Sequence, residues 1–121
     1  MIDPLLEGYA REARRPLAEL VQEYRAKLVA NGRTERYIIE AVGYIERLAA
    51  AEGIATAADF TAERMARYAA GPRDKAKSAR TVQATIGAAK NFTCWMVACG
   101  KLPRDPLASV RKPSPEADRR R

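Results

Sequence analysis

The sequence predicts an all-α protein with four helices. Apolar residues recur at intervals of three and four in four stretches, which is the spacing of one helix face. A glycine follows each stretch, as is common after the last turn of a helix, and no stretch shows the alternation of a convincing strand. With 121 residues, 47% of them apolar, the chain is long enough to bury a core as one domain without metals or disulfides.

The first two predicted helices form a hairpin. The first runs from about residue 16 to residue 30, with Pro16 in its first turn and Gly32 closing it. The second begins after Thr34, a candidate N-cap, and ends at Gly53. Their apolar stripes comprise Leu17, Leu20, Val21, Tyr24 and Leu28, and then Ile38, Ala41, Val42, Ile45, Leu48 and Ala49.

The third helix is short and the fourth is the longest. The third lies within residues 56–72, where Thr61 is a candidate N-cap and Gly71-Pro72 ends the pattern. The fourth begins after Ser78, its predicted N-cap, and Gly100 follows its last periodic residue. Their apolar faces comprise Met65, Tyr68 and Ala69, and then Val82, Ile86, Ala89, Phe92, Thr93 and Met96.

The fourth helix contains no acidic residue, and neither does anything else between Asp74 and Asp105. Residues 1–72 hold 10 basic and 11 acidic side chains, whereas residues 73–112 hold nine basic and two acidic ones. This segregation favours a surface that meets a polyanion, with nucleic acid preferred over a generally basic, solvated surface.

The front of the fourth helix has side chains suited to duplex DNA. A helix fits the major groove, where its exposed side chains reach base edges or phosphates. The residues predicted to face that groove are Arg80, Gln83, Lys90 and Asn91. Gly87 lies among them and would let the backbone approach DNA, although close packing against another helix explains it equally well.

A second set of residues is predicted to meet phosphates. The starts of the second and fourth helices combine unpaired backbone N–H groups with basic neighbours, which favours an anion. The predicted contacts are Arg33, Thr34, Arg36, Lys75, Lys77, Ser78 and Thr81. Helix capping alone is the competing explanation for Thr34 and Ser78.

The sequence predicts no active site, cofactor or metal site. It contains no histidine, no glycine-rich phosphate loop and no nucleophile beside a base. Tyr24 and Tyr68 are expected in the core and Tyr44 at its border. Cys94 and Cys99 are too far apart on one helix for a disulfide and are expected as thiols. No apolar run is long enough to span a bilayer and no secretory signal is seen, so the expected location is the cytoplasm, without a membrane partner.

After Gly100 the chain is predicted to be an extended connector outside the packed core. Its sequence, KLPRDPLASVRKPSPEADRRR, combines four prolines with a charged end. The predicted organisation is an N-terminal extension at 1–15, a helical domain at 16–102 and a basic, proline-rich linker at 103–121. Three arginines straight after a linker suggest that the sequence ends at a domain boundary.

A family resemblance is carried by the fourth helix and its exit, SARTVQATIGAAKNFTCWMVACGKLPRDPLASVRKP. This stretch resembles the core-binding domain of tyrosine recombinases, the phage-integrase family, in which a Ser/Thr-led helix with late aromatics precedes a glycine, an Asn-Pro and a basic-Pro linker. The matching residues are Ser78, Phe92 with Trp95, Gly100, Asp105-Pro106 and Lys112-Pro113. Residues 20–48 resemble the family's first helical hairpin, and the likeness extends over about 16–113. It departs from the family where Asp105 replaces the usual asparagine and Thr93 replaces a second aromatic.

The resemblance implies a SAM-like orthogonal bundle of four helices that lies on one face of double-stranded DNA and is not itself an enzyme. DNA integration and recombination would be catalysed by a separate C-terminal domain of the same parent protein, which closes a clamp around the duplex. The implied partners are duplex DNA, that catalytic domain and other recombinase protomers on the DNA. Two other classes stay open, a helical protein-interaction module and a stand-alone helix-turn-helix regulator. The long helices and the basic connector between Gly71 and Ser78 disfavour the regulator.

Overall fold

The computed structural model describes residues 4–71 and 78–110, and within them the chain forms α-helices and no strand. The helices are α1 (Pro4–Ala13), α2 (Leu17–Ala30), α3 (Glu35–Glu52), α4 (Ala62–Ala70) and α5 (Ala79–Ala98), with a 3₁₀ turn at Ala57–Asp59. The predicted all-α class is confirmed, and the four predicted helices correspond to α2, α3, α4 and α5.

The helix boundaries follow the predicted capping residues. The side chains of Thr34, Thr61 and Ser78 each accept a hydrogen bond from the backbone N–H three residues later, at 3.1, 3.1 and 3.2 Å. Gly53 ends α3 with a φ of 66°, a left-handed conformation in which a Cβ is strained. Pro16 precedes α2 rather than forming its first turn, because its ψ of 136° is extended.

The predicted apolar stripes meet in one core. Its centre is an aromatic cluster of Tyr24, Phe60, Phe92 and Trp95, whose neighbouring rings lie 5.2 to 5.8 Å apart. Tyr24 and Tyr68 are buried, as predicted, and burial raises the pKa of the Tyr24 phenol. Each such ring pair adds about 0.5–1.5 kcal/mol to the effect of burial alone, so this cluster is a main link between α2, α5 and the chain before α4.

The segment after α5 belongs to the core, so the prediction that the chain after Gly100 is an extended connector outside the core is wrong for its described part. Leu102 and Leu107 are both buried, Leu107 completely. Asp105 Oδ1 accepts hydrogen bonds of 2.8 Å from the Thr93 hydroxyl and from the Leu107 N–H. The prolines and charges of this segment suggested that it lies in solvent. Its two buried leucines and the hydrogen bonds to Asp105 place it against the core instead. The rest of the predicted linker, from residue 111, lies outside the described residues.

The predicted N-terminal extension contains α1, a helix that the sequence patterns did not indicate. Ion pairs hold it against the bundle. Arg15, just after α1, pairs with Glu12 at 2.8 Å, with Glu19 at 3.3 Å and with Glu23 of α2, and Lys101 pairs with Glu23 at 2.8 Å. One charged cluster therefore joins α1, α2 and the chain that follows α5.

Candidate nucleic-acid interface

A groove of about 230 Å³ runs between α3 and α5, the two helices with the most extensive mutual contact. Each helix contributes residues spaced i, i+3, i+4 and i+7, which form a single stripe along a helix. The lining residues of this α3–α5 groove are Tyr24 from α2, Tyr37, Glu40, Ala41 and Tyr44 from α3, and Ala84, Gly87, Ala88 and Asn91 from α5.

Small residues keep the groove open. Ala41, Ala84, Gly87 and Ala88 are half-buried, and their short side chains cannot fill the space between the two helices. Gly87 thus lies where α5 packs near α3 and also on the wall of an open groove. Its position is compatible with both explanations offered from the sequence.

The residues predicted to face a DNA groove differ in exposure. Arg80 and Asn91 are exposed, and Gln83 is half-buried. Asn91 lines the α3–α5 groove, and Arg80 lies on the same side of α5 at helical spacing. Lys90 is half-buried and its Nζ donates a hydrogen bond to the Val110 carbonyl, so its ammonium group is engaged within the chain.

Three of the predicted phosphate contacts are helix-start residues. Thr34 caps α3, Ser78 caps α5, and the Ser78 and Thr81 hydroxyl oxygens lie 3.1 Å apart. Thr34 and Ser78 therefore act as helix caps. Both residues are also exposed at the surface. Lys75 and Lys77 lie outside the described residues.

The two predicted arginines at the start of α3 contact residues of the groove. The Arg33 guanidinium lies 5.1 Å from the centre of the Tyr37 ring. Arg36, whose side chain is 89% exposed, places Nε 3.3 Å from Glu40 Oε1. Both cations therefore stand beside lining residues of α3.

The sequence prediction missed most of the α3 side of this surface. Arg47 lies 5.0 Å from the Tyr44 ring centre, an arrangement like that of Arg33 on Tyr37. The signal available in the sequence was the helical spacing of Tyr37, Glu40 and Tyr44, beside the apolar stripe of α3. That spacing does not reveal that α5 packs next to these residues.

The surface around the α3–α5 groove is rich in cations, aromatic rings and amides. Arg33 just before α3, Arg36 and Arg47 of α3, and Arg80 of α5 stand near it, and Glu40 is the carboxylate among its described lining residues. Within the described ranges no three His, Cys, Asp or Glu side chains cluster as metal ligands would, and Cys94 and Cys99 are exposed free thiols. Nor does any helix there combine the length and hydrophobicity needed to cross a membrane.

Comparisons of the chain with protein-family models, with curated proteins and with solved structures found no match. The fold and the groove together define a small all-α protein in which two packed helices present arginine and amide side chains around a shared opening.

Proposed function

We propose that this chain is the non-catalytic, core-binding DNA-binding domain of a site-specific tyrosine recombinase, and that α2 to α5 form its SAM-like bundle. The observation that carries the proposal is the acid-free helix α5, whose exposed Arg80 and Asn91 stand on the side of the α3–α5 groove. A helix without carboxylates suits a duplex, because every acidic side chain near DNA is repelled by the phosphates.

In this proposal two sets of residues have different roles. The exposed starts of α3 and α5, with Arg33, Arg36 and Ser78, meet phosphates and set the orientation of the domain. Arg80 and Asn91 reach base edges, since a guanidinium matches guanine and a carboxamide matches adenine in the major groove. Strand cleavage and rejoining during DNA integration and recombination belong to the separate catalytic domain.

A protein-interaction module is the second candidate, and one observation favours it. Val29 and Ile39 are 61% and 55% exposed and line a shared surface groove with Ile38, Arg25 and Arg33. Neighbouring exposed apolar side chains are a common mark of a protein-binding surface. This alternative predicts no binding of duplex DNA even at low salt.

The deciding experiment is a fluorescence-anisotropy titration of labelled duplex DNA over a series of salt concentrations. The wild type is expected to bind with an affinity that falls steeply with salt. Arg80→Glu is expected to weaken binding about tenfold at low salt. Because Arg80 lies in the first turn of α5, where a negative charge suits the helix dipole, this change is not expected to unfold the domain.

Arg14→Glu is the matched control, because it makes the same charge change at an exposed position between α1 and α2. Equal affinities of Arg80→Glu and the wild type at low salt would reject the proposed interface. Lys90→Glu is also expected to weaken binding, but it removes the contact with the Val110 carbonyl as well, so Arg80 gives the cleaner result.

A further inference from the structure

Glu40 is an anomaly on the proposed DNA-facing surface. Among the described residues that line the α3–α5 groove it is the one with a negative charge, and its side chain is 55% exposed. DNA phosphates repel a carboxylate at such a position. Glu40 therefore weakens DNA binding unless it gains a specific contact in the complex.

The protein itself compensates this carboxylate only weakly. Its ion-pair partner, Arg36, reaches it at 3.3 Å, but the two side chains are 89% and 55% exposed, and exposed pairs one helical turn apart stabilise little. Arg36 is also free to turn towards a phosphate, because nothing buries it. The pair does not fix Glu40 in a purely structural role.

Arginine–tyrosine pairs lie on both sides of Glu40 along the chain. Arg33 over Tyr37 and Arg47 over Tyr44 place a cation on each side of Glu40 along α3. Cations at the flanks suit the two phosphate backbones, whereas the middle of such a surface faces base edges. Asn91 lines the same groove from α5, so polar groups of both helices converge there.

We propose that Glu40 reads a cytosine in the major groove, with its carboxylate accepting a hydrogen bond from the N4 amino group. A carboxylate is only an acceptor, and cytosine presents a donor amino group without the neighbouring N7 acceptor that accompanies the amino group of adenine. Guanine and thymine present acceptor oxygens that repel it. This inference rests on the proposed function and adds a specificity-determining residue to it.

The test begins with selection of binding sites from a randomised duplex pool by the wild type, Glu40→Ala and Glu46→Ala. Glu46 is a matched control, since it is an exposed glutamate of α3 that lines a different groove, with α2. The wild type and Glu46→Ala are expected to enrich cytosine at one position that Glu40→Ala leaves unselected. Anisotropy titrations then compare the selected duplex with one carrying 2-pyrimidinone, which lacks only the amino group, at that position.

The wild type is expected to lose roughly tenfold in affinity on this single-group change, and Glu40→Ala to lose none. If Glu40→Ala instead strengthens binding by the same factor on all sequences, the carboxylate only repels DNA and the inference is wrong. Identical selected sites for the wild type and Glu40→Ala overturn it too. In both cases duplex binding by the wild type still supports the proposed function, whereas a wild type that binds no duplex rejects both.

Discussion

The Thr93 hydroxyl donates a hydrogen bond of 2.8 Å to Asp105 and thereby joins the buried face of α5 to the chain that leaves it. The same oxygen, Asp105 Oδ1, accepts the N–H of Leu107 at 2.8 Å. One acceptor atom thus shapes the turn and places the fully buried Leu107 against the core. An asparagine has the same Oδ1 acceptor, so an aspartate and an asparagine are equivalent in this geometry.

Asp105→Ala is expected to lower the free energy of unfolding by about 1–3 kcal/mol, because the Leu107 N–H loses its acceptor and the Thr93 hydroxyl keeps only the Lys90 carbonyl, at 3.1 Å. Asp105→Asn keeps the acceptor and is expected to cost less than about 1 kcal/mol. Urea denaturation followed by circular dichroism measures both. Equal losses for the two variants would show that the negative charge, not the Oδ1 acceptor, stabilises the turn.

The helices α2 to α5 were predictable because their signals are local. Thr34, Thr61 and Ser78 mark the starts of α3, α4 and α5 as N-caps. Between each cap and the next glycine, the spacing of the apolar residues predicts which helix face is buried. The core position of Leu107 was not predictable in this way. It depends on the bond between Thr93 and Asp105, two residues that are far apart in sequence and that only the folded chain brings together.

The two sides of the candidate site likewise differ in how far the sequence predicts them. The α5 side was predictable, since an acid-free helix with Arg80 and Asn91 on its polar front is visible in the sequence alone. The α3 side was not predictable, because Tyr37 and Glu40 line a groove only through the packing of α5 next to α3. The contact of Lys90 also depends on packing, since the Val110 carbonyl that accepts its hydrogen bond comes from a segment predicted to lie outside the core.

Acidification is expected to destabilise the domain partly through Glu23. The hydrogen bond from Arg15, and then that from Lys101, lower the pKa of this carboxyl in the folded state. Its contribution is therefore complete above the pKa of the unfolded chain, about 4.3, and is lost as the pH falls through the lower folded-state value. The melting temperature of the wild type should exceed that of Glu23→Gln by a constant amount above about pH 5 and by less below it.

Asp59 provides a control for this pH dependence. Hydrogen bonds from backbone N–H groups, chiefly that of Ala55 at 2.9 Å, lower the pKa of Asp59 as well. The melting temperature of Glu23→Gln should therefore still fall in acid. That of the double variant Glu23→Gln, Asp59→Asn should fall by less than that of Glu23→Gln. A difference between the wild type and Glu23→Gln that stays the same at every pH would contradict the assigned role of Glu23.

Ser78 allows capping to be separated from phosphate binding. Its hydroxyl accepts the Thr81 N–H at 3.2 Å, so Ser78→Ala is expected to lower the free energy of unfolding by about 1 kcal/mol. Ser78→Asp keeps a capping oxygen and adds a negative charge that suits the start of α5, so its stability is expected to equal or exceed that of the wild type.

The order of these variants in affinity for duplex DNA is expected to differ from their order in stability. If a phosphate lies at the start of α5, the aspartate of Ser78→Asp repels it, and affinity at low salt falls by roughly fivefold in a fully folded protein. Thr61→Asp is the matched control, because it makes the same change at the N-cap of α4, which is not among the predicted phosphate contacts. Anisotropy titration of the two aspartate variants decides the question. Equal affinities for duplex DNA would mean that Ser78 only caps α5, and that phosphates meet this surface elsewhere.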